Sequence, residues 1–240
     1  MIEVTELHKS FRGREVLRGI DHTFGDGRLT YLLGLNGAGK STLLRCIGGV
    51  TRPDAGAVRI DGQPPAAFDA PVRHLGMHLS ADAFTAGHSA RRHLRWLAAL
   101  GGVPAGRADA LLDEVGLAAV ADRPVGGFSL GMRQRLGIAS ALVGNPRTLL
   151  LDEPLNGLDV AGVLWMRDLL RRWAEEGRCV VVASHALAEV ERTADEVVLI
   201  EGGRVVTCGT VAQVRGEFAD LEEAFAAHVP RVARGHAVAG

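Results

Sequence analysis

The stretch LTYLLGLNGAGKSTLL, residues 29–44, decides the fold of this chain. Residues 29–33 form an apolar run typical of a buried strand, and residues 41–47 have the apolar spacing of a helix. Between them, residues 34–41 match the pattern G-x-x-x-x-G-K-[ST] in full. A strand, a glycine-rich loop and a helix in this order predict a loop that binds phosphate groups.

The chemistry of such a loop explains its residue types. Glycine lets the backbone turn its N–H groups onto phosphate oxygens, and the helix that begins near Lys40 points its positive end at the same place. We expect Lys40 to neutralise the β- and γ-phosphates and the Ser41 hydroxyl to reach Mg²⁺. The loop residues predicted to bind the nucleotide are Gly34, Leu35, Asn36, Gly37, Ala38, Gly39, Lys40, Ser41 and Thr42.

A second motif, LLLDE at residues 149–153, supplies carboxylates. An apolar strand that ends in an acidic residue delivers that residue to the sheet edge where ligands bind. We expect Asp152 to hold Mg²⁺, directly or through water, and Glu153 to polarise an attacking water. Taken alone, Glu153 is equally typical of an ordinary acidic residue after a strand.

Strands and helices alternate along most of the chain. Short runs rich in Leu, Val or Ile at 148–151, 179–183 and 196–200 predict strands, and helical patterns such as 160–176 lie between them. This alternation predicts an α/β fold with a mostly parallel sheet flanked by helices. Helical patterns at 88–100, 105–120 and 130–143, the first two rich in alanine, make residues 87–143 a predicted helical insertion into that sheet domain.

Composition excludes several classes of protein. Of the 240 residues, 47% are hydrophobic and 23% are charged, which excludes a disordered or fibrous chain. A net charge of −1 gives no global positive field, so we expect no nucleic acid as partner. The three cysteines form no C-x-x-C pair, which favours a reduced, cytoplasmic setting over disulfides or structural zinc. No apolar run approaches the roughly 18 residues of a membrane span, so work at a membrane needs a separate spanning partner.

Four further motifs resemble those of the ATP-binding cassette (ABC) ATPases. FSLGMRQR at residues 128–135 resembles the signature sequence of that family, usually written LSGGQ. Asp159 resembles the D-loop, residues 184–185 resemble the H-loop, and Phe11 stands where the family places an aromatic ring under adenine. Together with the phosphate-binding loop, they occur in the order and spacing of the family.

The resemblance implies a P-loop NTPase core with an N-terminal antiparallel β subdomain and an inserted α-helical subdomain. It makes residues 1–215 the ABC ATPase domain, with the helical subdomain at about 87–143 inserted in a RecA-like core. Residues 216–240 are left as a C-terminal helix, at 221–229, and a loose tail after Pro230. The nucleotide is then ATP, and a second ABC ATPase subunit joins head to tail, as a homodimer, to enclose it.

The resemblance also implies roles for single residues. His185 would contact the γ-phosphate and help hold Glu153 and the attacking water. The Ser129 hydroxyl and the backbone around it would reach the γ-phosphate bound by the other subunit. The further nucleotide-binding residues that the resemblance implies are Phe11 and Val16 at the adenine, Ser80, Ser129, Gly131 and Asp159.

Two motifs depart from the family pattern. Ser80 stands where the Q-loop usually has Gln after a strand, so its contact acts through water or is absent. Leu130 and Met132 replace Gly and Gln in the signature. This variant resembles the ATPase subunits of two-component bacterial drug and antibiotic exporters.

These features predict an ATP-hydrolysing subunit of an exporter that drives a separate integral-membrane permease. Such a subunit would be cytoplasmic and peripheral on the inner face of the cell membrane. Soluble ABC ATPases of DNA repair or translation are the alternative, but they carry long insertions or two cassettes, and only 89 residues separate Lys40 from Ser129. A P-loop small-molecule kinase would leave residues 128–132 and 184–185 unexplained.

Two weaker candidates remain. His74 and His78 are four residues apart, which is a metal-binding spacing only on a helix, and we expect a strand there. Residues 91–95 include three arginines, which either form a solvated face or contact the cytoplasmic loops of a partner.

Overall fold

The computed structural model describes residues 1–81 and 84–229, which form nine strands and nine α-helices. The strands are β1 (Ile2–Phe11), β2 (Arg14–Phe24), β3 (Arg28–Leu33), β4 (Ala55–Ile60), β5 (Leu75–His78), β6 (Thr148–Asp152), β7 (Cys179–Ala183), β8 (Glu196–Glu201) and β9 (Arg204–Gly209). The helices are α1 (Lys40–Ile47), α2 (Pro71–His74), α3 (Ala90–Leu100), α4 (Gly106–Glu114), α5 (Leu130–Ala141), α6 (Val160–Glu175), α7 (Leu187–Thr193), α8 (Val211–Arg215) and α9 (Leu221–His228).

The strand before the phosphate-binding loop lies inside a six-stranded sheet of order β5-β6-β7-β3-β8-β9. Neighbouring strands from β5 to β8 run parallel, and β9 returns antiparallel to β8. Every residue of β7 is buried, as expected for a parallel strand covered by helices on both faces. The predicted mostly parallel sheet is confirmed. Because parallel strands end at the same edge, β3, β6 and β7 deliver their following loops to one place.

A second, antiparallel sheet of order β2-β1-β4 covers one face of the first sheet. Its apolar side chains, including Leu17 and Ile20, form one core with Leu43 and Ile47 of α1. The same core takes in one face of the six-stranded sheet, for example Val181. Full burial of a Leu or Ile side chain stabilises the folded state by about 1.5–3 kcal/mol. The core therefore fixes α1 and the loop before it between two sheets.

The opposite face of the six-stranded sheet is covered by helices. α3, α4 and α5 follow β5 in the chain and precede β6, and their buried side chains join α6 in a second core. None of the helices in residues 1–81 and 84–229 has both the length and the apolarity to cross a membrane.

Some predicted boundaries differ from the structure. The helical pattern at 105–120 becomes the shorter α4, because Gly116 has φ of 70° and ends the helix; residues 118–120 form a 3-10 turn. The helix expected at 221–229 is α9. Strand β9 and helix α8 lack a sequence prediction. The tail expected after Pro230 lies outside the described residues.

Candidate active site

The loop at residues 34–39 joins β3 to α1, and Lys40 begins that helix. The Lys40 side chain is buried at 7% exposure, and its Nζ donates to the carbonyl oxygens of Gly34 at 2.6 Å and Leu35 at 3.4 Å. Burial lowers the pKa of Lys40, while the nearby carboxylates of Glu153 and Asp152 oppose that shift. The ammonium group is thus held at the centre of its own loop.

A cavity of about 480 Å³ opens beside this loop. The predicted residues from Leu35 to Thr42 line it, together with Val16, Asp152 and Glu153. Asp152 ends β6, and Ser41 lies in the first turn of α1, so the two reach one cavity from neighbouring elements. The structure brings together both motifs that the sequence predicts to bind phosphate and metal.

Glu153 and His185 meet at this site. Glu153 follows β6 with a left-handed φ of 50°, and its backbone N–H donates to the Ala183 carbonyl at 2.9 Å. The Glu153 Oε1 lies 2.9 Å from Nδ1 of His185, which follows β7. With Nδ1–H donating to the carboxylate, Nε2 of the imidazole is free to face a substrate. The side chain of His185 is 61% exposed and that of Glu153 is 25% exposed, so solvent reaches the pair.

The other predicted binding residues do not line this cavity. Ser129 and Asp159 instead cap helices: Ser129 Oγ accepts from the Met132 N–H at 3.2 Å, and Asp159 Oδ1 accepts from the Gly162 N–H at 2.8 Å. Gly131, in the first turn of α5, approaches the D-loop carbonyl of Gly157. The signature and the D-loop therefore lie together, but apart from the phosphate-binding loop of the same chain.

Phe11 and Ser80 also lie elsewhere. Phe11 is 47% exposed at the end of the β1–β2 hairpin, where the ammonium of Lys9 lies 5.3 Å from its ring centroid. Ser80 lines a second cavity of about 370 Å³, together with Trp96 of α3 and Phe84. Of the predicted adenine pair, Val16 alone lines the cavity beside the phosphate-binding loop.

A model of the ABC transporter family matches residues 17–156 of this chain, which is more than half of it. The chain belongs to the ABC transporter family. As a member of that family, this ABC chain is an ATP-binding subunit and an ATPase.

Several relatives of this ABC subunit are transport proteins. It is 34% identical over 206 residues to the lantibiotic transport ATP-binding protein SrtF of Streptococcus pyogenes, a match covering 86% of this chain and 89% of SrtF. It is 35% identical over 209 residues to the bacitracin transport ATP-binding protein BcrA of Bacillus licheniformis, covering 86% and 68%. A solved ATP-binding subunit of an ABC transporter superposes with a TM-score of 0.86 at 28% identity, covering 95% of this chain and 99% of that one.

One side of the cavity beside Lys40 is lined by residues that the sequence analysis does not predict. Arg14 and Arg18 of β2 and the β8–β9 turn at 201–203 line the same cavity. The Gly203 N–H donates to the Ala38 carbonyl at 3.1 Å, and the Arg18 N–H donates to the Gly203 carbonyl at 2.9 Å. A Cβ at Gly203 would stand 2.2 Å from the Val16 carbonyl oxygen. The Gly202-Gly203 pair was readable as a tight turn, but its position depends on long-range packing.

The residues of the cavity fit Mg²⁺ and a triphosphate. The first turn of α1 has no side-chain cap, so its backbone N–H groups are available to an anion. Ser41 and Asp152 offer a hydroxyl and a carboxylate, which are the oxygen donors that Mg²⁺ prefers.

The alternative metal site at His74 and His78 has no such fit. His74 stacks on Phe68 and His78 bonds to Gln134. Among residues 1–81 and 84–229, no group of three or more His, Cys, Asp or Glu side chains is arranged to hold a metal ion.

Proposed function

We propose that this ABC subunit hydrolyses ATP to power the export of an antibiotic-type compound through a separate membrane permease. The observation that carries the hydrolytic part is the Glu153–His185 pair at 2.9 Å, placed beside the cavity that Lys40 serves. The similarity to lantibiotic and bacitracin transport proteins supports the exported class.

The residues around Lys40 take distinct roles in this proposal. Lys40 and the N–H groups of α1 bind the β- and γ-phosphates, with Phe11 and Val16 at the adenine. Ser41 and Asp152 hold Mg²⁺, which neutralises the charge that develops on the phosphate oxygens. These contacts fix the nucleotide before any water attacks.

Hydrolysis then needs a base and a partner for the γ-phosphate. Glu153 accepts a proton from the attacking water, whose oxygen forms a bond to the γ-phosphorus. The bond from that phosphorus to the bridging oxygen breaks, and ADP leaves with its electron pair. His185 holds the Glu153 carboxylate through Nδ1 and turns Nε2 toward the γ-phosphate.

We place Ser129, Gly131 and Asp159 at the ATP bound by a second copy, joined head to tail. In support, these residues lie outside the cavity of their own chain, and Ser129 and Leu130 at the N-terminal end of α5 are exposed. ATP then favours the closed pair, and hydrolysis releases it, which passes motion to the permease as a population shift.

The permease contact belongs to the second cavity in this proposal. It is lined by the exposed Trp96 and by Ser80, at the junction between the sheet core and the helical insertion of residues 87–143. Of the basic residues nearby, Arg91 and Arg95 pair with Asp109. Residues 1–215 form the working ATPase domain, and the subunit sits peripherally on the cytoplasmic face through its permease.

The Glu153→Gln variant tests the proposed base. It should bind ATP and Mg²⁺ but hydrolyse ATP at least about 100-fold more slowly, because the amide cannot accept the proton. An ATP-bound dimer should then accumulate on a sizing column. Glu217→Gln, which changes an exposed carboxylate outside the cavity, is the control and should turn over normally. Wild-type turnover in Glu153→Gln would show that the base is wrongly assigned.

A further inference from the structure

A buried polar contact joins β5 to α5. His78 ends β5 at 3% exposure, and Gln134 lies in the second turn of α5 at 4% exposure. The imidazole Nε2 of His78 forms a hydrogen bond with the amide Oε1 of Gln134. Neither side chain lines the cavity beside Lys40, so neither is available to touch a nucleotide there. Buried polar groups need partners, and these two supply each other with one.

The other end of the Gln134 amide reaches the active-site backbone. Its Nε2 donates to the carbonyl oxygen of Asn156 at 3.0 Å and to that of Glu153 at 3.4 Å. Carbonyl oxygens accept only, so the NH₂ group of Gln134 must face them and its Oε1 must face His78. His78 must then donate, which requires hydrogen on Nε2. One tautomer of His78 and one orientation of the Gln134 amide therefore satisfy the whole set of contacts.

The backbone that Gln134 holds is unusual. Glu153 has a φ of 50°, a left-handed conformation that costs free energy in a non-glycine residue. The two accepting carbonyls belong to the turn that carries the carboxylate of Glu153 and leads to the D-loop. Leu130 packs against the same turn, because a Cβ at Gly157 would fall 2.2 Å from its Cδ2. Helix α5, which follows the signature serine, therefore contacts the turn that carries Glu153 through both Gln134 and Leu130.

The chain makes room for His78 at one position of α5. A Cβ added to Gly137, one turn after Gln134, would stand 2.2 Å from Nδ1 of His78. A helix interior otherwise disfavours glycine by roughly 0.5–1 kcal/mol relative to alanine. The imidazole of His78 fills the space that a side chain at position 137 would need. This fit supports a specific role for His78 rather than incidental burial.

We propose that His78 is a positioning residue for ATP hydrolysis, acting through Gln134. Its Nε2–H fixes the Gln134 amide, and that amide holds the carbonyls of Glu153 and Asn156, so that the carboxylate of Glu153 points into the site. The inference rests on the proposed role of Glu153 as base. It also joins β5, which leads to Ser80, and α5, which begins after Ser129, to the reacting end of the site.

Two variants of the full-length chain separate hydrogen bonding from packing. His78→Gln places an amide donor at nearly the reach of Nε2, whereas His78→Met has similar length and no donor. We expect His78→Gln to keep kcat within about threefold of wild type and His78→Met to lower it by about tenfold. KM for ATP should stay within about twofold in both, because neither variant touches the residues that bind ATP. Equal kcat values in the two variants, high or low, would overturn the proposal.

Two further measurements keep the test independent of how well each variant folds. In the wild-type chain, ¹⁵N NMR of the assigned His78 ring should show hydrogen on Nε2; hydrogen on Nδ1 alone would overturn the proposal. Gln134→Met should lower kcat as His78→Met does, and the double variant should be no slower than Gln134→Met, since both act through one contact. Additive losses would contradict this. Failure here leaves the Glu153→Gln result intact, and wild-type turnover in Glu153→Gln would refute the base whatever residue 78 does.

Discussion

The two ends of the proposed catalytic machinery are built differently. Around Lys40, a loop, two strand ends and a hairpin turn converge on one cavity within a single chain. Around Ser129, the side chains that the family uses for phosphate serve as helix caps, and Leu130 and Val160 are exposed at 41% and 80%. The first region is a concave site, whereas the second is an exposed surface.

The difference teaches how one chain can carry both halves of a site. A helix N-terminus with a capping serine keeps its hydroxyl hydrogen for a second acceptor while its oxygen accepts from the backbone. Ser129 can therefore hold its helix and donate to a phosphate presented by another copy. The region around Lys40 differs, because its buried ammonium group and the uncapped N-terminus of α1 lie beside one cavity of a single chain.

Removing the charge in the concave region should have the largest effect. Lys40→Ala should lower ATP hydrolysis by about 100-fold or more and weaken ATP binding, because no other lysine serves the site. The measurement is steady-state phosphate release. Lys9 is the only other lysine of the chain, and its Nζ pairs with Asp54 at 2.7 Å. Lys9→Ala should keep hydrolysis within about threefold of wild type. A loss as large as that of Lys40→Ala would show that the effect of Lys40 does not depend on its place in the cavity.

A pair of serines tests the exposed region around Ser129, where we expect the next largest effect. Ser89 and Ser129 each cap a helix by accepting a backbone N–H at 3.2 Å, from Arg92 and Met132. Replacing either by alanine should cost about 1 kcal/mol of unfolding free energy. Only Ser129→Ala should also lower hydrolysis, by about 10-fold to 100-fold, because only Ser129 is proposed to reach a phosphate of the second copy. Equal turnover in the two variants would reduce Ser129 to a cap.

Packing between the two regions gives a prediction on stability. Gly137→Ala should lower the free energy of unfolding by about 1–3 kcal/mol, because its Cβ would stand 2.2 Å from the His78 ring. Adding His78→Val should restore part of that loss. The control is Gly106→Ala, where a Cβ meets nothing within 4 Å. Denaturant unfolding measures all three, and similar losses at both glycines would contradict the fit of His78 to α5.

The smallest effect is a pH dependence. Burial lowers the pKa of His78, against smaller opposing contributions from Gln134 and Asp152. The unfolded chain then binds a proton more readily, so His78 stabilises the fold above its ordinary pKa of about 6.5 and this contribution is lost as pH falls toward the lower value in the folded state.

Unfolding free energies of wild type and His78→Gln between pH 7 and pH 5 measure that contribution. The wild type should lose more stability on acidification, with the difference in slope at most about 1.4 kcal/mol per pH unit. His22 and His93, whose pKa values burial also lowers, stay in both proteins and cancel in the comparison. Parallel curves would show that His78 titrates as it does in the unfolded chain.

The concave region around Lys40 could be predicted from sequence because its functional residues lie in short contiguous motifs. The loop before Lys40 and Ser41 follows the apolar strand β3, and Asp152 ends the apolar strand β6. The alternation of strand and helix patterns predicts that both strands run parallel in one sheet. Parallel strands then bring their ends together whatever the details of packing. The mostly parallel sheet and the helices between β5 and β6 followed for the same reason.

Contacts between distant segments could not be predicted. The bond from His78 to Gln134 joins residues 56 apart, and its motif at 74–78 suggested only a weak metal spacing. The turn at 201–203, which follows β8 beside β3, contacts the phosphate-binding loop although more than 160 residues separate the two in the chain. Ser80 was expected at the nucleotide and lines a different cavity, together with Gly48 after α1 and residues of α3 and α5. These positions depend on how side chains fill a shared core, which periodicity does not encode.

The most direct test is a structure of Glu153→Gln solved with ATP and Mg²⁺. We expect two copies, with Nζ of Lys40 from one copy and Oγ of Ser129 from the other each within about 3.5 Å of the same γ-phosphate. A γ-phosphate bound by Lys40 with the Ser129 hydroxyl of both copies far from it would contradict the account.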